Sequence, residues 1–291
     1  AILADGTIRC WGSNLYGRLG NGTTTDSSTP VTVSGINTAV AISAGARDHT
    51  CALLADGTLR CWGTNDLGQL GNGTTIGSLI PVTVSGISNV VAITAGSSHT
   101  CAVLTDGTVL CWGDNRSSQI GYAMINSTTP VTVLGLSSAV AVSTGSKNAC
   151  AVLFDGTVQC WGSNVGAGAT TSSLTPVTVD GLSSVVAVSV GGGHTCAVLT
   201  AGTIKCWGSN ESGQLGDDTF TNSSTPVTVS GISNALAVSV GARHTCALLA
   251  DGTARCWGLT YSATPVTVSG LSTAVAVSAG IAHSCALLAD G

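Results

Sequence analysis

The sequence has few charged residues and no long uninterrupted apolar run. Charged side chains make up 8% of the 291 residues, and the nine Lys and Arg residues are scattered singly. No basic stripe of the kind that binds nucleic acid is therefore present. Apolar runs such as Val90–Ala95 are interrupted by Ser, Thr or Gly well before the roughly 18 residues that a membrane-spanning helix needs. We expect neither a nucleic-acid partner nor a membrane span.

Residues that favour helices and aromatic residues are also scarce. The chain has one Met, few Glu and Lys residues, and 4% aromatic residues, whereas Val, Thr, Ser and 39 Gly residues dominate. This is the composition of strands and turns. The chain starts within a repeat, because residues 1–6 (AILADG) nearly copy residues 286–291 (ALLADG). We expect a processed form or an excerpt of a longer polypeptide.

One segment, residues 51–63 (CALLADGTLRCWG), recurs through the chain and predicts a β-hairpin, because Asp-Gly between apolar runs is a strong hairpin signal. A three-residue turn with Gly57 in the left-handed conformation places Cys51 opposite Cys61. A two-residue turn would put the two cysteines on opposite faces of the sheet. The first register predicts a disulfide across the hairpin.

Ten of the twelve cysteines form pairs ten residues apart, which favours disulfides and an oxidising compartment outside the cell or at its surface. Buried free thiols and a metal site are weaker alternatives, since zinc sites use cysteines two to four apart. For the remaining two, Cys10 and Cys285, we expect a sixth disulfide that closes a ring within one chain. The alternatives are a free Cys285, or a bond to Cys10 of a neighbouring molecule that links chains head to tail. The predicted pairs are Cys51/Cys61, Cys101/Cys111, Cys150/Cys160, Cys196/Cys206 and Cys246/Cys256.

The repeat period is close to 50 residues and is marked by six tryptophans. They are Trp11, Trp62, Trp112, Trp161, Trp207 and Trp257. Each unit holds four strand candidates, which in the second are 90–95, 100–104, 108–113 and 130–133. Four short strands per unit of this length are typical of a propeller blade. We predict one all-β domain over residues 1–291, a β-propeller of six four-stranded antiparallel blades.

Length variation lies almost wholly between each Trp and the following Pro, with spacings of 19, 19, 18, 15, 19 and 8 residues. Loops on a rigid scaffold usually carry binding. Residues 165–174 lack the Gln-Leu-Gly part and residues 259–264 lack nearly all of the loop, so we expect one sector of this face to be lower or more open. Exposed Tyr, Met and Arg side chains are enriched at interfaces. The candidate interface residues are Tyr16, Arg18, Arg116, Tyr122, Met124, Glu211, Phe220 and Tyr261.

Residues 62–74 (WGTNDLGQLGNGT) and 207–219 (WGSNESGQLGDDT), each preceded by GxxHTCAL or a close variant, resemble the regulator-of-chromosome-condensation repeat. The resemblance covers the whole chain. It implies a β-propeller, usually of seven blades, so that six periods indicate a six-bladed ring or a truncated larger one. The founding member of the family is a nuclear guanine-nucleotide exchange factor. The version with paired cysteines is similar to secreted or surface bacterial members, among them a β-lactamase inhibitor type.

Five histidines share one position in the repeat and suggest either a metal-binding ring or a hydrogen bond within each blade. They are His49, His99, His194, His244 and His283, and the remaining repeat has Asn148 there. We expect the hydrogen-bonding role. Most aspartates are hairpin-turn residues. For the Asp217–Asp218 pair we expect a solvated turn, with a cation site as the alternative. We expect no catalytic, cofactor-binding or metal-binding residues.

The sequence therefore favours an extracellular or cell-surface module that is not an enzyme. It would contact protein or glycan through the Trp-to-Pro loops, or form part of an extracellular assembly. The first alternative is a secreted protein inhibitor of an enzyme. A weaker alternative is a guanine-nucleotide exchange regulator.

Overall fold

The computed structural model describes residues 1–47, 49–167, 170–259 and 261–291. These residues form two compact units, one of residues 1–147 with 174–176 and one of residues 148–173 with 177–291. The helical segment assigned among them is a 3-10 turn, Leu15–Gly17. No helix in the described ranges has the length and apolarity to cross a bilayer.

The first unit consists of short strands joined by turns and loops. Its strands are β1 (Arg9–Gly12), β2 (Ser27–Thr32), β3 (Ala39–Ala44), β4 (His49–Leu54), β5 (Leu59–Gly63), β6 (Ser78–Thr83), β7 (Val90–Ala95), β8 (His99–Leu104), β9 (Val109–Gly113), β10 (Ser127–Thr132) and β11 (Ala139–Thr144). Strands β3–β6 and β7–β10 form two four-stranded antiparallel sheets, and β1 pairs with β2.

The second unit has the same construction. Its strands are β12 (Asn148–Leu153), β13 (Val158–Ala167), β14 (Thr170–Thr178), β15 (Val185–Val190), β16 (His194–Leu199), β17 (Ile204–Gly208), β18 (Ser223–Thr228), β19 (Ala235–Val240), β20 (His244–Leu249), β21 (Ala254–Gly258), β22 (Val266–Thr267), β23 (Ala274–Ala279) and β24 (Ser284–Leu288). Strands β15–β18 and β19–β22 form four-stranded antiparallel sheets, β12–β14 pair in sequence order, and β23 pairs with β24.

The predicted fold class is confirmed: the chain is all-β, and the antiparallel sheets of its described residues have four strands each, apart from the two-stranded pairs β1–β2 and β23–β24. The number of six blades stays a prediction. In the second repeat the observed strands differ from the predicted ones by no more than three residues at either end. The largest shift is in β10, which begins at Ser127 rather than at Pro130. Pro130 is accommodated because β10 is an edge strand of its sheet, where a missing amide hydrogen breaks no ladder bond.

The hairpin register and the five predicted disulfides are also confirmed. Cys51 faces Cys61, and Gly57 closes the three-residue turn at φ 77°, donating its amide hydrogen to Leu54 O at 3.0 Å. Asp56 fastens the turn, since its Oδ1 accepts hydrogen bonds from the Thr58 amide at 2.9 Å and from the Thr58 hydroxyl at 2.6 Å. The disulfides join the pairs Cys51–Cys61, Cys101–Cys111, Cys150–Cys160, Cys196–Cys206 and Cys246–Cys256.

The predicted sixth disulfide is not formed in this structure. Cys10 is partly buried, Cys285 is exposed, and both are free thiols. Residues 1–4 take the local alternative: Ile2 bridges to Ile8, and the Arg9 amide donates to Ala1 O at 2.8 Å. Local pairing of neighbouring residues closes a short loop and therefore costs less chain entropy than pairing with a distant strand.

The hydrophobic core lies between neighbouring sheets within each unit. In the first unit Trp112, which belongs to the β7–β10 sheet, packs with Cys51, Leu59 and Leu70 of the preceding repeat. In the second unit Trp257 packs in the same way with Cys196 and Leu215. Each of these tryptophans thus packs against the preceding repeat, including a leucine of that repeat's Trp-to-Pro loop, and so holds that loop in place.

Candidate functional site in the Trp-to-Pro loops

A buried asparagine organises each full-length loop. The Asn65 Oδ1 accepts a hydrogen bond from the Leu70 amide at 2.9 Å, and its Nδ2 donates to Thr74 O at 2.9 Å and to Asn72 Oδ1 at 3.2 Å. We call this arrangement the asparagine frame. In the other framed loops too, the Oδ1 of a buried asparagine accepts a hydrogen bond from the amide five residues later. The pairs are Asn14 with Leu19, Asn115 with Ile120 and Asn210 with Leu215.

The framed loop is also bonded to the next repeat through one carbonyl. Gln69 O accepts hydrogen bonds from Trp112 Nε1 at 3.0 Å and from the Thr100 hydroxyl at 2.9 Å. Gly71 is required here, because a Cβ at this position would lie 2.6 Å from Trp112 Nε1. The same pair of bonds is made by Arg18 O to Trp62 and Thr50, and by Gln214 O to Trp257 and Thr245.

The fourth loop is built differently, while the expectation of a lower or more open sector stays a prediction. Instead of a shortened loop, β13 continues to Ala167 and pairs with β14, with Ser163 opposite Ser172. Asn164, at the position of the frame asparagine, is exposed and has φ 55°. In the following sheet the Trp207 Nε1 and the Thr195 hydroxyl are buried and have no hydrogen-bond partner in the part of the chain that the structure describes.

Three of the five recurring histidines, His49, His194 and His244, bond to the next repeat rather than to their own blade, which corrects the prediction for these three. Their Nε2 atoms lie within hydrogen-bond distance of hydroxyls, for His49 at 3.0 Å from Thr100 and for His194 at 2.7 Å from Thr245. Burial, with a smaller contribution from a neighbouring histidine, lowers the pKa of both His49 and His194 to about 3. These imidazoles are therefore neutral at pH 7. Within residues 1–47, 49–167, 170–259 and 261–291, no cluster of three or more His, Cys, Asp or Glu residues could hold a metal ion.

The aspartates have structural partners. Hydrogen bonds from the Thr58 hydroxyl and amide lower the pKa of Asp56, and the same pattern recurs at the other Asp-Gly turns that end in Thr. Asp217 Oδ1 accepts hydrogen bonds from Asn210 Nδ2 at 3.1 Å and from the Thr219 hydroxyl at 2.8 Å. Asp217 is thus part of the asparagine frame of its loop.

Seven of the eight candidate interface residues are exposed on the loops. Arg18 is the exception: it is only partly exposed, its carbonyl bonds to the next repeat, and its Nε donates to Leu15 O at 3.1 Å. Arg116 is exposed but forms a bidentate pair with Asp114, with nitrogen–oxygen distances of 2.8 and 3.0 Å. The exposed candidates are Tyr16, Arg116, Tyr122, Met124, Glu211, Phe220 and Tyr261.

The first unit also contains a cavity of about 820 Å³ between its first two loops. Tyr16 is its one residue from the candidate set. Arg47 and Asp66 contribute its charged groups, and sequence analysis selected neither. Asp66 lies in a variable loop. Arg47 lies in the turn between β3 and β4, in the part of the repeat whose length hardly varies, so length variation does not mark it as a binding residue. The lining also includes Leu15, Thr24, Thr64, Leu67, Thr75, Leu79 and Ser98.

Comparison with known proteins gives a family match over most of the chain. The family model described as RCC1-like domain matches residues 1–264. The human E3 ubiquitin-protein ligase HERC2 is 33% identical over 102 residues, which is 33% of this chain and 2% of that protein. A zebrafish RCC2 homolog is 39% identical over 85 residues, which is 28% of this chain and 17% of that protein. The matched segments thus span a small part of both relatives.

Solved structures are similar in fold. Yeast RCC1 (Prp20), in a crystal structure bound to Kap60, superposes with a TM-score of 0.86 at 21% identity, over 100% of this chain and 78% of that one. The ectodomain of the receptor kinase CR4 from Physcomitrella patens gives a TM-score of 0.62 at 21% identity, over 99% of this chain and 66% of that one. At such identities the likeness shows the propeller fold alone.

Proposed function

The chain belongs to the RCC1-like domain family, and from this premise we propose that it is an extracellular or cell-surface binding module that is not itself an enzyme. Its Trp-to-Pro loops would contact a protein or a glycan. The observation that carries the proposal is the exposure of large side chains on loops that are internally fastened. Phe220, for example, is 65% exposed in the loop framed by Asn210. Exposed aromatic residues on a rigid loop lose little conformational entropy on binding.

The five disulfides support the location. All ten cysteines are buried, and each bond joins directly opposed residues of one hairpin. Such bonds persist in oxidising compartments and are rare in the cytosol. Denatured protein purified under non-reducing conditions should gain ten protons in intact mass on reduction. A protein that gains none, when isolated from its native compartment, would contradict the proposed location.

Two alternatives differ in what the loops contact. A secreted enzyme inhibitor would use the same exposed aromatic residues, such as Tyr261, against one enzyme. The second alternative is a guanine-nucleotide exchange regulator, which is the role of the family's founding member. This role would require a GTPase partner inside the cell. Catalysed nucleotide release from a GTPase would favour this second alternative.

Self-assembly is a further part of the proposal. Cys285 is an exposed free thiol on β24, and Cys10 is a partly buried free thiol on β1. A bond between Cys285 of one molecule and Cys10 of the next would link chains head to tail. Non-reducing electrophoresis should show multimers that disappear with reductant and in a Cys285→Ser variant. Monomers alone would exclude this assembly.

Loop substitutions test the binding function. The wild-type protein is immobilised and exposed to surface and secreted material of the source cells, beside Phe220→Ala and Tyr261→Ala variants. The control is Phe154→Ala, because Phe154 is 84% exposed but lies in an Asp-Gly turn outside the loops. We expect a ligand that is retained by the wild type and by Phe154→Ala and lost by the two loop variants. Equal retention by all four proteins would contradict binding through the loops.

A further inference from the structure

The first loop differs from the other framed loops at one position. Where the others have Gln69, Gln119 and Gln214, it has Arg18. Each glutamine Oε1 accepts a hydrogen bond from the amide two residues earlier, at 3.0, 2.8 and 2.8 Å. An arginine side chain has only donors and cannot accept such a bond. The peptide before Tyr16 has therefore lost the acceptor that fixes the other loops.

The backbone at Tyr16 responds to this loss. Tyr16 has φ 67° and ψ 13°, the left-handed region, whereas Leu67, Ser117 and Ser212 at the same position do not have positive φ. For a bulky residue this conformation is strained and points to a functional role. The Arg18 Nε donates to Leu15 O at 3.1 Å on the other side of the turn. The result is an aromatic ring, 55% exposed, on the wall of the cavity in the first unit.

The cavity combines apolar and polar chemistry. Its volume of about 820 Å³ lies within the range of small-molecule sites. Tyr16 and Leu79 offer apolar surface, and Arg47 and Asp66 offer one charge of each sign. Within the described residues Arg47 forms no ion pair, and the one hydrogen bond of the Asp66 carboxylate is with Gln69 Nε2 at 3.4 Å. The Thr64 hydroxyl on the same wall is buried and has no hydrogen-bond partner in the part of the chain that the structure describes.

We propose that this cavity binds a neutral saccharide unit, a deepening that rests on the proposed binding function. Sugar hydroxyls both donate and accept, so adjacent hydroxyls can donate to the Asp66 carboxylate and accept from the Arg47 guanidinium. The Tyr16 ring presents an apolar face to the C–H face of the sugar. The two charges compensate each other, which gives an acidic or basic ligand no net advantage.

A bound peptide strand fits this cavity less well. Strand addition needs a row of unpaired backbone groups on a sheet edge. Here the neighbouring loop amides of Leu67 and Leu70 are already bonded to Gln69 and Asn65 side chains. The charged groups of the cavity belong to the Arg47 and Asp66 side chains, as suits a ligand that itself carries many hydroxyls.

The test is binding of the disulfide-bonded protein to an array of neutral and acidic glycans. The strongest neutral oligosaccharide is then titrated by calorimetry against four variants. We expect Tyr16→Ala and Asp66→Ala each to weaken binding at least tenfold. Phe154→Ala is the control, because Phe154 is an exposed aromatic residue in an Asp-Gly turn outside both the cavity and the Trp-to-Pro loops, and it should leave affinity unchanged.

The decisive variant is Arg18→Gln. It restores the acceptor that the other loops possess, so the peptide before Tyr16 should return to the conformation seen at Leu67. We expect about a tenfold loss of affinity with an unchanged or higher melting temperature, which separates loss of the site from loss of the fold. Binding of acidic glycans alone, of no glycan, or of a neutral glycan whose affinity survives both Tyr16→Ala and Arg18→Gln would overturn the proposal. In those cases the proposed loop-face function would still stand if capture remained sensitive to Phe220→Ala and Tyr261→Ala.

Discussion

Two loops of the second unit begin with the same tetrapeptide and have different structures. Residues 161–164 and 207–210 both read Trp-Gly-Ser-Asn. Asn210 is buried and bonded to Leu215, Asp217 and Thr219, whereas Asn164 is exposed, and its segment continues as a β-hairpin. The tetrapeptide therefore does not determine the loop. The groups that pair with the asparagine five to nine residues later do.

The difference extends into the sheet that follows each loop. After the framed loop, Gln214 O accepts from Trp257 Nε1 at 2.9 Å and from the Thr245 hydroxyl at 3.0 Å. After the hairpin, the equivalent donors Trp207 Nε1 and the Thr195 hydroxyl are buried without a partner among the described residues. An unpartnered buried donor costs about 1–3 kcal/mol. The frame thus stabilises the neighbouring repeat as well as its own loop.

The largest expected effect comes from removing the frame. Asn210→Ala leaves the buried Leu215 amide and the Thr219 carbonyl without their partner, so we expect a loss of about 2–4 kcal/mol in the free energy of unfolding. Asn164→Ala is the matched control. It removes an exposed side chain at φ 55°, where we expect a loss of no more than about 1–2 kcal/mol.

Denaturant titration of both variants measures this contrast. Equal losses would show that the loop is held by its glycines and apolar contacts rather than by the asparagine. A larger loss for Asn164→Ala would reverse the comparison altogether.

The sequence allowed the hairpins to be predicted because their determinants are local. The Asp-Gly turn, the cysteines ten residues apart and the alternation of faces all lie within one segment, and the structure has the predicted register at Cys51 and Cys61. The five disulfides follow from that register. The blade architecture follows from repetition of the same segment at a period near 50 residues.

Features that depend on distant partners were not predicted. One such feature is the extension of β13 to Ala167 and its pairing with β14, because the missing Gln-Leu-Gly predicts only a shorter loop. The strained Tyr16 depends on the missing acceptor at Arg18, which is visible only when the glutamines of the other loops are seen to cap an amide. The histidines were assigned to their own blades, since a sequence does not show that Thr245 of the next repeat lies within 2.7 Å of His194.

A second prediction concerns pH, because the loop framed by Asn210 is linked to a buried histidine: Gln214 O bonds to the Thr245 hydroxyl, which bonds to His194. The Thr245 hydroxyl donates to Gln214 O, so it accepts from His194 Nε2–H, while the buried His194 Nδ1 has no partner among the described residues. The pKa of His194 is about 3 in the fold, against an ordinary value near 6.5. The unfolded chain therefore binds a proton between these values and the folded chain does not. The contribution of this group to the free energy of unfolding is therefore fully present above about pH 6.5. It decreases by about 1.4 kcal/mol for each pH unit as the pH falls from about 6.5 toward 3.

A His194→Asn variant tests the assignment, since Asn148 occupies the same position in another repeat. We expect its free energy of unfolding to fall less between pH 7 and pH 5 than that of the wild type, by about 2 kcal/mol. The comparison is made by denaturant titration at each pH. Identical pH profiles would show that the His194 imidazole is protonated in the fold at pH 5, and its Nδ1–H would then need a hydrogen-bond acceptor in solution.

The smallest expected effect comes from removing the hydrogen bond that the Gln214 carbonyl accepts from Trp257, which has no counterpart at Trp207 among the described residues. Trp257→Phe and Trp207→Phe remove the same buried ring area, but of the two indoles only that of Trp257 donates a hydrogen bond within the described residues, to Gln214 O. We expect Trp257→Phe to cost at least about 1 kcal/mol more, the net value of its one hydrogen bond, since Gln214 O keeps its bond from Thr245 and Trp207→Phe removes a buried donor that has no partner among the described residues. The urea midpoints of the two variants give the difference directly, with Thr245→Val and Thr195→Val as a second pair that should differ in the same direction. If Trp207→Phe were the more costly change, Trp207 Nε1 would have a hydrogen-bond acceptor in solution, and the two loops would not differ in this bond.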